Sequence, residues 1–271
     1  MKNKVVIIIG IISVILAAGI VLNFKKNKCP IANKLLPAGS LSATLVRGKD
    51  FENKGDLLNA KNTYQELINN FPGSKDIMNW QEKLEDLNIK LIFSSVITPK
   101  STLYEIKPGD TIAKIAKEFK TTAGLIMKSN NISSDKIFVG RKIKVWNTPI
   151  NIVVDKTQNI LILKSDDEII KTYIVSTGTN NSTPSGTFKI INKLENPTWF
   201  KAGLVVPFGS PENVLGTRWM GFNLAGYGIH GTVEPQNLGK QVTQGCVRMA
   251  NSEAEELYTI VPVGTEVTIV D

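Results

Sequence analysis

The pattern of apolar and polar positions divides the chain into segments with different periods. The first is an apolar run over residues 5–22, interrupted only by Ser13 and flanked by lysines on both sides. A helix of this length, at 1.5 Å per residue, approaches the roughly 30 Å hydrocarbon core of a bilayer. The run therefore predicts a transmembrane helix within residues 1–28, either an uncleaved anchor or a signal segment cleaved near Ala17-Ala18-Gly19.

The second segment, residues 41–93, has apolar residues at helical spacing on both sides of Pro72-Gly73, a dipeptide that favours a helix stop and a turn. It predicts a hairpin of two antiparallel helices whose apolar faces meet. The hairpin faintly resembles one tetratricopeptide-type repeat, but a single repeat cannot bury a continuous core. We therefore interpret it as a spacer or packing element.

The third segment, residues 101–147, predicts the order strand, helix, helix, strand. Its strands fall at 103–106 and 142–145, and Asp110 or Thr111 can cap the first helix. The last segment, residues 149–271, has short β-rich runs at 150–155, 160–164, 168–176, 186–192 and 266–270, which predict a mostly-β sandwich or barrel. One short helix is expected near residues 252–259, capped by Asn251 or Ser252. The predicted fold class is multi-domain α+β.

Charge narrows the choice of partners. The formal net charge is +8, with 23 Lys+Arg against 12 Asp+Glu up to Pro149, and 9 against 12 from Ile150 onward. The basic character therefore belongs to the N-terminal segments. Because no basic stretch alternates with stacking aromatic residues, we expect no nucleic-acid partner.

Cysteine and histidine are scarce. The chain has two cysteines, Cys29 and Cys246, and one histidine, His230. Two cysteines in such different contexts do not form a disulfide framework, and a single histidine makes a structural zinc site improbable. No metal or other cofactor is implied, and Cys29 is interpreted as an incidental juxtamembrane thiol.

The surroundings of Cys246 favour a nucleophile. A thiol reacts as its thiolate and needs a base or an ion-pair partner, and His230 is the one imidazole able to serve. Glycines beside both residues allow a substrate to approach the backbone closely. Gln244 and Arg248 give Cys246 a polar, positively biased setting, which favours the thiolate.

Residues 103–146 resemble a lysin motif (LysM) along its whole length. The matching positions are Tyr104, Gly109-Asp110-Thr111, Ile115-Ala116, Phe119, Ile126, Asn130, Ile137, Gly140 and Ile143. The resemblance implies binding of N-acetylglucosamine-containing glycans such as peptidoglycan. It places the sugar groove near Gly109, Asp110, Thr111 and Ile132. The module's 9 basic residues against 4 acidic ones over residues 101–149 suit an anionic wall polymer.

The C-terminal segment resembles the L,D-transpeptidase catalytic domain. The family pattern appears here as Thr183-Pro-Ser-Gly-Thr-Phe188, then His230-Gly231, then Thr243-Gln-Gly-Cys-Val-Arg248. Many members carry a second histidine immediately before the Gly-Cys pair, where this chain has Gln244. That departure leaves His230 as the sole imidazole.

The resemblance implies a peptidoglycan acyltransferase. Cys246 would attack the peptide bond before a terminal D-alanine of a stem peptide, and His230 would accept the thiol proton or hold an ion pair. The backbone N–H groups of Gly245 and Cys246 would bind the oxyanion, and Arg248 would pair with a substrate carboxylate. The other residues expected to contact oxyanion or substrate are Gly231, Tyr227, Thr243 and Gln244.

Two other functions share these residues. An L,D-carboxypeptidase would deliver the same acyl-enzyme to water, and an inactive C-terminal domain would leave a wall-binding tether. The expected partners are peptidoglycan stem peptides and glycan strands, with the membrane contacted through the N-terminal helix. The expected location is the bacterial cell envelope, with the catalytic domain facing the periplasm or cell wall, whether anchored or exported after signal cleavage.

Overall fold

The computed structural model describes residues 39–201 and 203–271. The chain divides into two compact units, Met1–Asn88 and Ile89–Asp271. The predicted transmembrane run and Cys29 lie outside the described residues. Within the described ranges, no helix combines the length and apolar character needed to cross a bilayer.

The first unit is helical. It contains α1 (Leu41–Asn53), α2 (Leu57–Asn70) and the start of α3 (Ile77–Phe93). The predicted hairpin corresponds to α2 and α3, and α1 was not predicted. The fully buried residues of α1 are Thr44 and Gly48, so this helix lacks a strong apolar stripe. The unit's core is formed by Ala60, Tyr64, Leu67, Trp80, Leu84 and Leu87.

The second unit opens with a small strand–helix–helix–strand module, in the predicted order. It consists of β1 (Ser101–Glu105), α4 (Ile112–Glu118), α5 (Ala123–Ser129) and β2 (Lys142–Trp146). The two strands pair antiparallel. The hydroxyl of Thr111 accepts the N–H of Lys114 and so caps α4, which selects Thr111 over Asp110 as the capping residue.

The rest of the second unit is a curled, half-barrel-like β-sheet with one helix, α6 (Asn251–Ile260). Its strands are β3 (Ile150–Asp155), β4 (Ile160–Ser165), β5 (Glu168–Ile174), β6 (Thr177–Gly178), β7 (Gly186–Glu195), β8 (Trp199–Lys201), β9 (Leu204–Val206), β10 (Arg218–Phe222), β11 (Gly228–His230), β12 (Gln241–Thr243), β13 (Val247–Arg248) and β14 (Glu266–Val270). Eight of them form one mixed sheet in the order β13-β11-β10-β7-β14-β3-β4-β5.

The mixed α+β class is confirmed, and the main sheet is a half-barrel, which is closer to the predicted barrel than to the predicted sandwich. Ala254, Leu257 and Ile260 of α6 are fully buried in the same core as the sheet residues. The helix thus covers apolar surface that a second sheet would cover in a sandwich. Short alternating strands carry the same sequence pattern in either arrangement, so the sequence did not separate them.

The small module packs against the sheet domain. Leu125 of α5 and Trp146 of β2 belong to the same buried cluster as the sheet and α6. The Thr122 hydroxyl, which caps α5, also donates a hydrogen bond to the carbonyl of Thr259 in α6. These contacts join the two parts, while the module keeps a separate apolar core of its own.

Candidate active site

The candidate base lies on a strand that pairs with the short strand directly after the candidate nucleophile. β11 and β13 are parallel, with His230 paired to Arg248 and Ile229 to Val247. Ile229 and Val247 point into the core and are fully buried. Since side chains alternate along a strand, His230 and Arg248 lie on the opposite face. Cys246 directly precedes β13, and its sulfur hydrogen-bonds the backbone of Gly226 and Gly228, so it lies beside the start of the strand that ends in His230.

The turn that carries Cys246 requires glycine. Gly245 has a φ of +126°, a region that favours glycine, and a Cβ at this position would lie 2.6 Å from Cε1 of Tyr227. Tyr227 therefore lies directly against the backbone next to the candidate nucleophile. The structure thus places the predicted residues Tyr227, Gly245 and Cys246 together.

Thr243 fixes the same turn. Its hydroxyl donates to the carbonyl of Cys246 at 2.7 Å and accepts the N–H of Gly245 at 3.1 Å. The Gly245 N–H is therefore already hydrogen-bonded, whereas the N–H of Cys246 has no acceptor among the described residues. This differs from the prediction that both N–H groups are open to an oxyanion. Gln244, which lies between Thr243 and Gly245 in the sequence, is exposed to solvent.

His230 is buried, with 3% of its surface exposed, and it stacks on Trp219 at a centroid distance of 6.0 Å. Its Nδ1 lies 2.6 Å from the carbonyl of Gly231, an acceptor, so we assign the proton of the neutral ring to Nδ1. Nε2 then carries the free lone pair. This is the tautomer that a general base at Nε2 requires.

Burial lowers the pKa of His230 to about 4, and the charge of Arg248 acts in the same direction. Hydrogen bonds to backbone groups of Gly231 and Leu215 oppose this shift. The imidazole is therefore neutral at pH 7.

The Cys246 thiol is half-buried and donates a hydrogen bond to the carbonyl of Gly226 at 3.4 Å. Burial raises its pKa, while a hydrogen bond from the backbone of Gly228 and the charge of Arg248 lower it. At rest the pair is thus a neutral thiol and a neutral imidazole. Of the two roles considered for His230, this favours proton acceptor over ion-pair partner.

Arg248 acts on both members of the pair, since its charge lowers the pKa of His230 and that of Cys246. Its guanidinium is largely buried and forms a 2.9 Å salt bridge with Glu234. Glu234 therefore already binds part of the Arg248 guanidinium, the group that was predicted to pair with a substrate carboxylate.

One residue of the site was not predicted as such. Asn251 was considered only as a helix cap, but Ala250 occupies the N-cap position of α6 and makes no side-chain cap bond. The Asn251 carboxamide instead accepts the backbone N–H groups of Thr217 and Thr232, next to the predicted residue Gly231. The sequence signal for this role was that Asn251 lies three residues after Arg248, close to the Cys-Val-Arg stretch.

The residues predicted for glycan binding lie around the β1–α4 turn, apart from Ile132. Gly109 has a φ of +83°, and nothing lies within 4 Å of a Cβ built there. The carboxylate of Asp110 accepts the Tyr104 hydroxyl at 2.9 Å and the Lys107 N–H at 2.8 Å. Ile132 is 8% exposed and belongs to the module's core.

Both the C-terminal sheet domain and the small strand–helix–helix–strand module match known protein families. Residues 149–269 match the L,D-transpeptidase catalytic domain family (YkuD), and residues 104–146 match the LysM domain family. A putative L,D-transpeptidase, YkuD, of Bacillus licheniformis is 34% identical over 175 residues, which cover 62% of this chain and 98% of that relative. The chain belongs to the L,D-transpeptidase family.

Another curated relative agrees with this assignment. A second putative L,D-transpeptidase, YqjB of Bacillus subtilis, is 42% identical over 126 residues, covering 44% of this chain and 70% of that one. Among solved structures, an L,D-transpeptidase from Mycobacterium smegmatis aligns with a TM-score of 0.41 and 20% identity, covering 49% of this chain and 65% of that one. As a member of the family, the chain is an L,D-transpeptidase-type enzyme, and its LysM domain fits peptidoglycan binding.

Proposed function

We propose that this L,D-transpeptidase cross-links peptidoglycan through a thioester on Cys246, with His230 as the general base. The donor is a stem tetrapeptide that ends in D-alanine, and the acceptor is an amine of a neighbouring stem. The proposal is supported by the contact of the Cys246 sulfur with the backbone of Gly226 and Gly228, beside the strand that carries His230, and by the Gly231 carbonyl that holds Nδ1 of the imidazole.

In the first half-reaction the sulfur of Cys246 attacks the carbonyl carbon that precedes the terminal D-alanine. Nε2 of His230 takes the thiol proton as the S–C bond forms, because the resting pair is neutral. The resulting imidazolium then gives that proton to the leaving amine as the C–N bond breaks. Free D-alanine departs, and the acyl group remains on the sulfur as a thioester.

The second half-reaction runs the same proton path with an amine. The acceptor nitrogen attacks the thioester carbon, and Nε2 of His230 takes one of its protons. The C–S bond breaks, and the sulfur leaves as a thiolate that regains the proton from the imidazolium. Water in place of the amine gives the carboxypeptidase outcome from the same intermediate.

The oxyanion of each tetrahedral intermediate is assigned to the backbone N–H of Cys246. The Thr243 hydroxyl hydrogen-bonds the Cys246 carbonyl and the Gly245 N–H, so the conformation of the turn is fixed before substrate binds. A donor fixed in advance stabilises developing charge without the cost of reorganisation. Arg248 adds positive charge on the face that carries His230, and Tyr227 lines the approach to Gly245.

The experiment compares product formation by three proteins: the parent, Cys246→Ala and Cys29→Ala. Each is incubated with disaccharide-tetrapeptides, and the products are separated and weighed by mass spectrometry. We expect cross-linked dimers from the parent and from Cys29→Ala, and none from Cys246→Ala. Dimers from Cys246→Ala would overturn the proposal. Hydrolysed tripeptide alone would indicate the carboxypeptidase, and unaltered substrate would indicate the wall-binding tether.

We propose that the LysM domain holds the enzyme on glycan strands through the exposed β1–α4 turn, at Gly109, Asp110 and Thr111. Because the Ile132 side chain is buried, its contribution is limited to the backbone nearby. Gly109→Trp places a bulky side chain in open space at this turn. We expect it to weaken sedimentation with purified peptidoglycan, whereas Gly109→Ala, which carries the same backbone strain at a φ of +83° without the bulk, retains it. Equal sedimentation of both variants would contradict this assignment.

The N-terminal apolar run supports a place in the cell envelope, and we propose that it anchors the enzyme in the cytoplasmic membrane with the catalytic domain outside. The remaining alternative is cleavage near Ala17-Ala18-Gly19. N-terminal sequencing of the protein recovered from washed membranes and from the wall and culture fluid decides between them. Retention of residues 5–22 is expected, and a mature N-terminus after that site would show release.

A further inference from the structure

The side-chain oxygen of Asn251 joins two loops behind His230. Oδ1 accepts the N–H of Thr217 at 3.1 Å and the N–H of Thr232 at 3.0 Å. A Cβ built at Gly216 would lie 2.2 Å from this oxygen, and one built at Gly231 would lie 2.1 Å from it. Both glycines thus leave the space that the carboxamide occupies.

One of these hydrogen bonds acts on a peptide group that also holds the imidazole. The N–H of Thr232 and the carbonyl of Gly231 belong to the same planar unit. Its N–H donates to Asn251, and its carbonyl accepts the Nδ1–H of His230. Fixing the N–H direction therefore fixes the carbonyl direction, and hydrogen bonds at both ends of one peptide polarise each other.

Asn251 is itself held firmly. It is the first residue of α6, whose residues Ala254, Leu257 and Ile260 are fully buried in the core beneath the sheet. Two hydrogen bonds thus connect the packed helix to the imidazole. One runs from the Thr232 N–H to Asn251, and the other from His230 to the Gly231 carbonyl.

We propose that Asn251 is a positioning residue that keeps His230 in the Nδ1–H tautomer and leaves Nε2 free to accept the thiol proton. This inference rests on the proposed role of His230 as general base. Loss of an outer hydrogen bond that orients a functional histidine typically lowers activity about 10- to 100-fold, and we expect a loss of this size for acylation.

The test uses two substitutions of similar size. Asn251→Leu removes the acceptor oxygen, and Asn251→Asp keeps it. Ala254→Gly, in the same helix, is the control for lost stability, because glycine in a helix interior is destabilising. The readouts are the single-turnover acylation rate of Cys246 by a carbapenem and the ¹⁵N chemical shifts of the imidazole. The chain's one histidine gives an unambiguous signal.

We expect Asn251→Leu to lower the acylation rate about 10- to 100-fold and to show a mixture of imidazole tautomers. Asn251→Asp should keep the Nδ1–H tautomer and a rate near that of the parent, with the pKa of His230 raised by the added carboxylate. Ala254→Gly should leave the tautomer unchanged. If Asn251→Leu does not fold, Asn251→Ser, too short to reach both N–H groups, takes its place with the same expectations.

An unchanged tautomer in Asn251→Leu would overturn the inference, whether the acylation rate falls as in Ala254→Gly or stays as in the parent. His230→Gln separates this failure from that of the proposed function. If His230→Gln acylates at the parent rate, the proposed base is wrong. If His230→Gln is slow while Asn251→Leu is normal, only the positioning role fails.

Discussion

The hydroxyl of Thr243 donates a 2.7 Å hydrogen bond to the carbonyl of Cys246. The same oxygen accepts the N–H of Gly245 at 3.1 Å, so one side chain binds both sides of the residue pair that carries the nucleophile. Thr243 is 4% exposed, which shields both bonds from water. The hydroxyl therefore holds the turn in the shape that leaves the Cys246 N–H open.

Thr243→Val keeps the shape of the side chain and removes both hydrogen bonds. We expect unfolding to become easier by about 1–3 kcal/mol, because a buried N–H is left unpaired, and carbapenem acylation to slow by at least tenfold. Thermal unfolding and stopped-flow acylation measure the two effects. Thr243→Ser keeps the hydroxyl and should retain most of the rate. Equal rates in both variants would show that the hydrogen bonds are not needed.

Gly245→Ala tests the close approach of Tyr227. The new Cβ would meet the Tyr227 ring at 2.6 Å, and a φ of +126° is strained for alanine. We expect little acylation from Gly245→Ala. The double variant Gly245→Ala/Tyr227→Ala removes the clash but keeps the backbone strain. Its acylation rate should therefore be higher than the rate obtained by multiplying the two single-variant losses. A double-variant rate equal to that product would contradict the contact.

Arg248→Met tests the shared electrostatic effect of Arg248. Its charge lowers the pKa of both His230 and Cys246, so its removal should raise both. Alkylation of the thiol by iodoacetamide should then need a higher pH, and the acid limb of acylation should move upward in pH as well. Glu234 is 47% exposed and can be hydrated once its partner is lost. Arg248→Lys, which keeps the charge, should shift both profiles less.

Leu125→Ala tests the junction of the LysM and catalytic domains. Leu125 is 1% exposed and lies in the cluster that contains the sheet and α6. Its truncation should destabilise the protein by about 2–5 kcal/mol, with both domains melting in a single transition. Val139→Ala, at an exposed LysM position, is the control and should have little effect. A separate LysM transition in the parent protein would contradict a shared core.

Much of the fold follows from local sequence signals. The LysM order of strands and helices matches the prediction because caps and turn residues fix each boundary, as at Thr111. Five of the eight strands in the main sheet, β3, β4, β5, β7 and β14, were predicted from their apolar runs. Strands β6 and β8 to β13 were missed. All of these except β10 have only two or three residues, and several pair with strands distant in sequence, which local periodicity does not detect. Helix α1 was missed because its buried face is carried by Thr44 and Gly48.

The sequence predicted which residues form the candidate site but not the contacts that position them. His230 and Cys246 stood out because the chain has one imidazole and one cysteine in a glycine-rich polar setting. The partners that tune them depend on tertiary contacts. No sequence pattern predicts three of these contacts. They are the hydrogen bond of the Gly245 N–H to Thr243, the salt bridge of Arg248 with Glu234 and the hydrogen bond of the Thr232 N–H to Asn251.

The central claim is that a neutral imidazole at His230 takes the proton of Cys246. The most direct measurement is the pH profile of single-turnover acylation by a carbapenem for the parent and His230→Gln. Because burial holds the pKa of His230 at about 4, the imidazole stays unprotonated down to that pH. The parent rate should therefore hold between pH 8 and pH 5 and fall as the pH approaches about 4.

His230→Gln should be slower by about 10²–10⁴-fold near pH 7, the usual contribution of a general base, and should lack that acid limb. A parent inflection near 6.5, the ordinary pKa of histidine, would contradict the buried neutral base. A His230→Gln rate equal to that of the parent would contradict the pair itself.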